Sequence, residues 1–288
     1  MSNTVTRKEW LLGATQSLSD VSDSSQLDAR ILLCHVLSIS KSHLLAWPDE
    51  IIEPSDLAQL NSRLLRRQAG EPIAYITGST EFWGLEFNVS PAVLVPRPET
   101  ELVIETVLEI LVDEGLSNPT IIDMGTGSGA IAIALGRELS DATITAVDVS
   151  EAALSVAESN RTLNGCENVT IYQSDWFEHI DSSKQFDMIV SNPPYVAEND
   201  PHLADLTFEP LLALTAANEG MADIERLSEG CAEYLKPLGW LIVEHGYNQG
   251  KLARKQFQSV GLTNVRTLKD LANLDRITIG QWDNDANG

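Results

Sequence analysis

Residues 120–148, TIIDMGTGSGAIAIALGRELSDATITAVD, carry the clearest indication of the fold. Its apolar start predicts a buried strand, and the glycine-rich turn that follows lets the backbone bend tightly and approach a ligand closely. Residues 130–135 then predict a helix, and a second strand ends at Asp148. An acid about twenty residues beyond such a turn is well placed to bind ribose hydroxyls. The pattern predicts an α/β fold, a doubly wound and mostly parallel sheet with a nucleotide-type site at its first turn.

A second informative feature is the tetrapeptide Asn192-Pro193-Pro194-Tyr195, which directly follows the apolar strand 186–191. The side-chain oxygen of Asn192 can accept one N–H of a planar NH2 group. The Pro193 carbonyl can accept the other, because Pro194 has no N–H and biases Pro193 toward an extended geometry. The Tyr195 ring offers a flat surface for stacking. This combination predicts a site that alkylates a weak nitrogen nucleophile.

These two motifs are expected to converge. In a doubly wound sheet the first and fourth strands lie side by side, and ligands bind beyond their carboxyl ends. The glycine turn ends strand one, and the tetrapeptide ends strand four. Strand three, residues 169–172, ends in Ser174-Asp175-Trp176, which offers an acceptor and an aromatic face to a purine. The glycine turn alone fits NAD equally well, but hydride transfer has no evident need for Asn-Pro-Pro-Tyr, so S-adenosylmethionine is the expected cofactor.

A longer resemblance discriminates among methyltransferases, since enzymes that methylate DNA adenine carry similar tetrapeptides. It rests on GEPIAYITG (70–78), EFWGL (81–85), PRPETE (96–101), DPHL (200–203), FEP (208–210) and EHG (244–246). With these motifs the chain resembles the peptide-chain release factor glutamine methyltransferases, the HemK/PrmC family, over almost its whole length. Residues 216–221 depart from the family pattern, and the resemblance implies no role for them.

The resemblance implies methyl transfer from S-adenosylmethionine to the glutamine side-chain amide in the Gly-Gly-Gln motif of class 1 release factors. The expected catalytic residues are Asn192, Pro193 and Tyr195, and Pro194 joins them in binding the substrate. The expected cofactor-binding residues are Gly125, Thr126, Gly127, Ser128, Gly129, Asp148, Asp175, Trp176 and Asn192. No metal site is expected. The alternatives are an amino-group methyltransferase acting on DNA or RNA bases and a non-catalytic adaptor that binds S-adenosylmethionine.

Composition restricts the partners and the compartment. The 288 residues carry a formal net charge of −23, whereas a protein that grips nucleic acid by its phosphates needs a basic surface. We therefore expect no stable nucleic-acid binding, although solubility or a salty environment would account for the acidity as well. Three scattered cysteines form no metal spacing and no disulfide set, which predicts a reduced, cytoplasmic setting. Neither a membrane-spanning run nor a signal peptide is recognisable, and a monomer is expected.

The chain is expected to hold a helical substrate-docking domain (1–72), a β-hairpin linker (73–98), a methyltransferase domain of the class I type (99–282) and a flexible tail (283–288). A capping box at Thr6 and Glu9 predicts the start of the first helix. Residues 264–268 and 277–281 predict a closing hairpin at the sheet edge.

Overall fold

The computed structural model describes residues 4–201, 203 and 206–283. The chain divides into two units, Met1–Ser79 and Thr80–Gly288. Apart from Asp283, the expected tail lies outside the described residues. In the part of the chain that is described, no helix is both long enough and apolar enough to cross a membrane.

The first unit is built from helices. They are α1 (Arg7–Ser17), α2 (Ser25–Leu37), α3 (Lys41–Ala46), α4 (Pro54–Gln68) and α5 (Ile73–Thr77). The predicted capping box is present at the start of α1, where Thr6 and Glu9 each accept a hydrogen bond from the other's backbone N–H. Buried side chains from all of the helices form one core, which includes Trp10, Leu32, Leu33, Leu44, Leu60 and Ile76.

The expected hairpin linker begins later than the sequence predicted, because residues 73–77 form helix α5 rather than a strand. Pro72 precedes this helix, and Gly78 ends it in the left-handed conformation at φ 82°. The β-branched residues of the segment favour a strand, but burial of Ile76 in the helical core outweighs that preference. The hairpin itself consists of β1 (Ser79–Phe82) and β2 (Leu85–Asn88).

The second unit contains the large sheet. Its helices are α6 (Glu101–Asp113), α7 (Ala130–Glu138), α8 (Glu151–Leu163), α9 (Ala217–Gly220), α10 (Ala222–Tyr234) and α11 (Gly250–Ser259). Its further strands are β3 (Thr120–Met124), β4 (Thr143–Asp148), β5 (Val169–Gln173), β6 (Phe186–Ser191), β7 (Val196–Ala197), β8 (Thr215–Ala216), β9 (Leu235–Glu244), β10 (Thr263–Lys269) and β11 (Asp275–Gln281).

The strand order of the large sheet is β10-β11-β9-β6-β3-β4-β5. Pairing is parallel from β9 through β6, β3 and β4 to β5, and β11 is antiparallel to both of its neighbours. The doubly wound, mostly parallel sheet and its closing edge hairpin are therefore confirmed. Strands one and four of the sequence pattern, β3 and β6, are adjacent as predicted.

Both faces of the sheet are buried. Ile121 of β3 belongs to one apolar cluster together with residues of α6 and α7, whereas Ile122 belongs to a second cluster with residues of α10 and α11. Successive side chains of a strand point to opposite faces, so the two clusters lie on the two sides of the sheet. With both faces covered by helices, the carboxyl ends of the strands are the natural place for polar functional groups.

One buried amide links three elements near that edge. Asn160 of α8 is fully buried, and its Oδ1 accepts a hydrogen bond from the Asn88 N–H at 2.7 Å. Its Nδ2 donates to the Asn88 carbonyl at 3.0 Å and to the Ser128 carbonyl at 2.9 Å. Helix α8 thereby fixes both the end of the hairpin and the glycine turn after β3.

This linkage makes Asn160→Ala a severe change. One buried and two half-buried backbone groups would lose their partner, so we expect the free energy of unfolding to fall by about 3 kcal/mol in urea denaturation. The matched control is Asn164→Ala, one helical turn further along and partly exposed, whose Nδ2 binds the Glu86 and Asn160 carbonyls. Water can replace those bonds, so the control should cost less than about 1 kcal/mol. Equal losses in the two variants would contradict the linking role.

Candidate active site

The glycine turn after β3 is held in a shape that favours glycine. Gly125, Gly127 and Gly129 have φ values of 72°, 56° and 84°, in the left-handed region. At Gly129 a Cβ would also lie 2.7 Å from Ile133 Cδ1 and 3.3 Å from Ala157 Cβ. Gly129 thus permits close packing against α8, whereas Gly125 and Gly127 line the cavity beyond the turn.

Asp148, at the end of β4, braces this turn. Its Oδ2 accepts the Gly127 N–H at 2.9 Å, and its Oδ1 accepts the Ser150 N–H at 2.9 Å. Burial raises the pKa of Asp148, while these backbone hydrogen bonds oppose the rise. A carboxylate has further lone pairs on both oxygens, so the bracing leaves Asp148 able to accept bonds from a ligand.

Asp123 is a supporting residue that was not predicted from the sequence. It is fully buried in β3, and its Oδ2 accepts bonds from Thr126 Oγ1 at 2.6 Å and from the Ala132 N–H at 3.3 Å. Its Oδ1 has no hydrogen-bond partner among the described residues. Burial raises the pKa of Asp123 to about 7. The available signal was a single acid inside an otherwise apolar strand that leads into a glycine turn.

The loop after β5 closes one side of the cavity. A Cβ on Gly125 would be 3.6 Å from the Trp176 ring, so this indole lies against the glycine turn. Asp175 is paired with Arg226 of α10 at 2.8 Å. Burial raises the pKa of the neighbouring Asp223, and a hydrogen bond with Trp176 opposes that rise. Arg226 and Asp223 line the same cavity and were not predicted from the sequence.

The tetrapeptide lies at the end of β6, beside the glycine turn. Ser191 Oγ donates to the Met124 carbonyl at 2.7 Å and so joins the ends of β6 and β3. Asn192 Nδ2 donates to Thr100 Oγ1 at 3.1 Å. With its nitrogen on Thr100, the Asn192 amide has its oxygen left as the acceptor for a ligand.

Tyr195 is placed differently from the other expected substrate-binding groups. Asn192 and Pro194 line the cavity, while Pro193 is buried. The Tyr195 hydroxyl donates to Glu244 Oε1 at 3.3 Å, and Tyr195 is not among the lining residues. Its position braces the loop, and its stacking on a substrate stays a prediction.

The far end of the tetrapeptide is held by Gln249. Its Nε2 donates to the Tyr195 carbonyl at 2.9 Å and to the Glu219 carbonyl at 3.1 Å, while its Oε1 accepts the Gly246 N–H at 2.7 Å. Gly220 follows at φ 83°, and a Cβ there would lie 2.1 Å from the Tyr195 carbonyl oxygen. Residues 216–221, which depart from the family pattern, therefore contain a position that only glycine fits.

Two of the motifs that carried the resemblance also meet here. Glu209, from the FEP motif, is buried and accepts a hydrogen bond from the Val95 N–H at 3.2 Å. It also forms an ion pair with Arg97 of the PRPETE motif. The pair holds the segment before α6 against the loop after β7, and Arg97 lines the cavity.

The glycine turn, the loop after β5 and the start of the tetrapeptide line one cavity of about 360 Å³. Of the expected cofactor-binding residues, Gly129 alone does not line it. Those that do are Gly125, Thr126, Gly127, Ser128, Asp148, Asp175, Trp176 and Asn192. The other wall includes Thr100, Leu212 and Ala213. Within the described ranges, no group of three or more His, Cys, Asp or Glu side chains could hold a metal ion.

The contact of Gly220 with Tyr195 predicts a large effect for Gly220→Ala. Gly115→Ala is the matched control, because Gly115 has φ 62° but no atom within 4 Å of the added Cβ. The control should cost about 1–2 kcal/mol from backbone strain alone. Gly220→Ala should cost more than about 3 kcal/mol in urea denaturation, because the Tyr195 carbonyl must also move. A similar loss in both variants would show that the loop yields easily at this contact.

Two family models match parts of the chain. Residues 9–78 match the family described as PrmC N-terminal domain, and residues 100–211 match the methyltransferase small domain. Among solved structures, a methyltransferase from Pyrococcus furiosus has a TM-score of 0.51 at 19% identity, covering 77% of this chain and 98% of that one. The hMettl16 catalytic domain has a TM-score of 0.54 at 15% identity, covering 82% and 86%. These likenesses show the fold alone.

Curated relatives are much more similar in sequence. A release factor glutamine methyltransferase of Aliivibrio fischeri is 46% identical over 270 residues, covering 93% of this chain and 94% of the relative. The proteins of the same name from Vibrio cholerae and Escherichia coli are 45% and 43% identical, each over 96% of this chain and at least 97% of their own length. The chain belongs to the release factor glutamine methyltransferase family.

Proposed function

We propose that this protein transfers a methyl group from S-adenosylmethionine to the side-chain amide nitrogen of the glutamine in the Gly-Gly-Gln motif of class 1 peptide-chain release factors. The observation that carries the proposal is the Asn192 amide. Its nitrogen is engaged by Thr100, so its oxygen is available at a cavity that also contains the glycine turn and Asp148.

The residues around the cavity fit the methyl donor. The volume of about 360 Å³ lies within the range of small-molecule sites. In this proposal Asp148 accepts hydrogen bonds from the ribose hydroxyls, and the Trp176 ring packs on adenine; both residues line the cavity. The charged lining residues are three acids, Asp148, Asp175 and Asp223, and two arginines, Arg97 and Arg226. Arg97 is paired with Glu209, and Arg226 is paired with Asp175 and Glu178. Within the part of the chain that is described, the charge of Asp148 and Asp223 is not offset in this way, so the cavity favours a cation. When bound, S-adenosylmethionine supplies an electrophilic methyl group on a positively charged sulfur.

The tetrapeptide supplies the geometry that a weak nucleophile needs. An amide nitrogen is poorly nucleophilic because its lone pair is delocalised into the carbonyl. Asn192 Oδ1 and the Pro193 carbonyl would accept its two N–H groups, which directs the lone pair and favours the positive charge that builds on nitrogen. Holding the nitrogen in line with the methyl group also lowers the barrier to transfer. No strong base is needed, because the proton can leave to water after transfer.

The substrate class follows from family membership and charge. An amino group on a nucleic-acid base would fit the same pair of acceptors. However, a chain with a net charge of −23 lacks the basic field that nucleic-acid phosphates require. We therefore favour a protein substrate, attribute docking of the release factor to the helical first unit, and expect a monomer without stable nucleic-acid binding.

The direct test is transfer of labelled methyl from S-adenosylmethionine to a purified class 1 release factor, beside a copy in which the glutamine of Gly-Gly-Gln is alanine. We expect label on the intact factor and none on the altered copy. Duplex DNA and structured RNA serve as parallel substrates. Label on nucleic acid, or equal label on both factors, would contradict the proposed target.

Asn192→Ala separates binding from transfer. It removes one acceptor for the substrate NH2, so the rate at saturating substrates should fall by about 100-fold or more. The dissociation constant of S-adenosylmethionine, measured by calorimetry, should change by less than about threefold, since the other lining residues remain. Asn164→Ala, whose side chain lies outside the cavity, should keep the wild-type rate. A rate for Asn192→Ala within a few-fold of wild type would contradict the role of this amide.

A further inference from the structure

A buried acid lies beside the tetrapeptide without a role in the transfer described so far. Glu244 ends β9, and Val243 before it is paired with Ser191 at the end of β6, so Glu244 and Asn192 follow neighbouring strand ends. Glu244 is 1% exposed. One of its oxygens accepts the Tyr195 hydroxyl, and the other, Oε2, has no aligned partner among the described residues.

Thr100 stands between this acid and Asn192. Its buried hydroxyl accepts the Asn192 Nδ2 at 3.1 Å. The same hydroxyl lies near enough to the Glu244 carboxyl to lower its pKa. A hydroxyl has one hydrogen to donate. If that hydrogen is directed at the Glu244 carboxylate, the Thr100 oxygen can only accept from Asn192.

We propose that Glu244 and Thr100 are positioning residues for methyl transfer, which set the end of the Asn192 amide that faces the cavity. This inference rests on the proposed function. A carboxylate can only accept, so it orients the Thr100 hydrogen toward itself and obliges Asn192 to turn its NH2 toward Thr100. Asn192 Oδ1 then faces the substrate. With the amide reversed, its NH2 would meet the substrate NH2, and two donors would oppose each other.

The protonation state of Glu244 therefore matters. A protonated carboxyl can donate to the Thr100 oxygen, which frees the Thr100 hydrogen to bind Asn192 Oδ1 and stabilises the reversed amide. Burial raises the pKa of Glu244 to about 7, and the nearby charge of Glu99 acts in the same direction. Arg276 of β11 and the hydrogen bonds from Thr100 and Tyr195 oppose the rise. Because the ionised form is the orienting one, methyl transfer should decline as the pH falls through this value.

The test is the single-turnover rate of methyl transfer to the release factor across the neutral pH range, at saturating S-adenosylmethionine. Wild type should lose about tenfold per pH unit on the acid side of the Glu244 pKa. Glu244→Gln should lose this pH step and be slower by about tenfold or more on the alkaline side, because its amide NH2 can donate to Thr100. Thr100→Val should be similarly slow, and Thr100→Ser, which keeps the hydroxyl, should return to within about threefold of wild type.

Glu99→Gln is a control for the assignment of the titrating group. Glu99 is exposed, and its charge raises the pKa of Glu244. Its neutralisation should therefore shift the decline of the transfer rate to lower pH and leave the rate at alkaline pH unchanged. Because Glu99 is exposed, the shift should be small and best seen at low ionic strength, and a decline that instead moves to higher pH would show that another group titrates.

The remaining outcomes distinguish failure of the positioning role from failure of the proposed function. If Glu244→Gln fails to fold, the Thr100→Val and Thr100→Ser variants test the positioning role instead. A wild-type rate in Thr100→Val overturns that role. An active wild type together with an unchanged rate and pH profile in Glu244→Gln also overturns it, while the proposed function stands. A folded wild type that transfers no methyl to the release factor contradicts the proposed function, and the positioning role falls with it.

Discussion

The parallel pairing of β3 with β6 is the constraint on which the site depends. It runs from Ile121 opposite Met188 to Met124 opposite Ser191, so both strands end at the same edge of the sheet. One strand is followed by the glycine turn and the other by Asn192, so both the turn and the Asn192 side chain line one cavity. The hydrogen bond from Ser191 to the Met124 carbonyl fixes this spacing at its last residue pair.

The tetrapeptide is oriented by groups that come from far along the chain. Thr100 lies 92 residues before Asn192 and engages its amide nitrogen, while Gln249 lies 54 residues beyond Tyr195 and holds its carbonyl. These contacts are polar and largely shielded from water, where an unmatched donor or acceptor costs more than a matched pair gains. The loop therefore has one arrangement that satisfies its neighbours, and a fixed arrangement is what alignment of a weak nucleophile requires.

The sequence predicted what depends on local pattern. The bounds of β3 and β6 follow from apolar runs that stop at glycine and at asparagine-proline, and Asp148 was identified from its spacing alone. Local pattern failed at residues 73–77, where burial in the helical core decided between helix and strand. Thr100, Gln249 and Gly220 were missed for a different reason. These residues matter because they contact the tetrapeptide, which is distant in sequence. Neither the periodicity nor the spacing of their own segments predicts such contacts.

Burying the carboxylates of Asp123 and Glu244 at this edge of the sheet destabilises the folded protein. Burial raises the pKa of Glu244 and of Asp123 to about 7, so the ionised form of each carboxyl is disfavoured by roughly 3–4 kcal/mol relative to the unfolded chain. Because the folded-state pKa values are raised, each protonated carboxyl stabilises the folded protein fully at a pH below its unfolded-state pKa. This stabilisation is lost as the pH rises through about 7. A neutral side chain of similar shape would avoid this penalty. Asp123 is better explained by the Thr126 hydroxyl that its charge orients under the glycine turn than by any contribution to folding, and the proposed action of Glu244 on Thr100 is of the same kind.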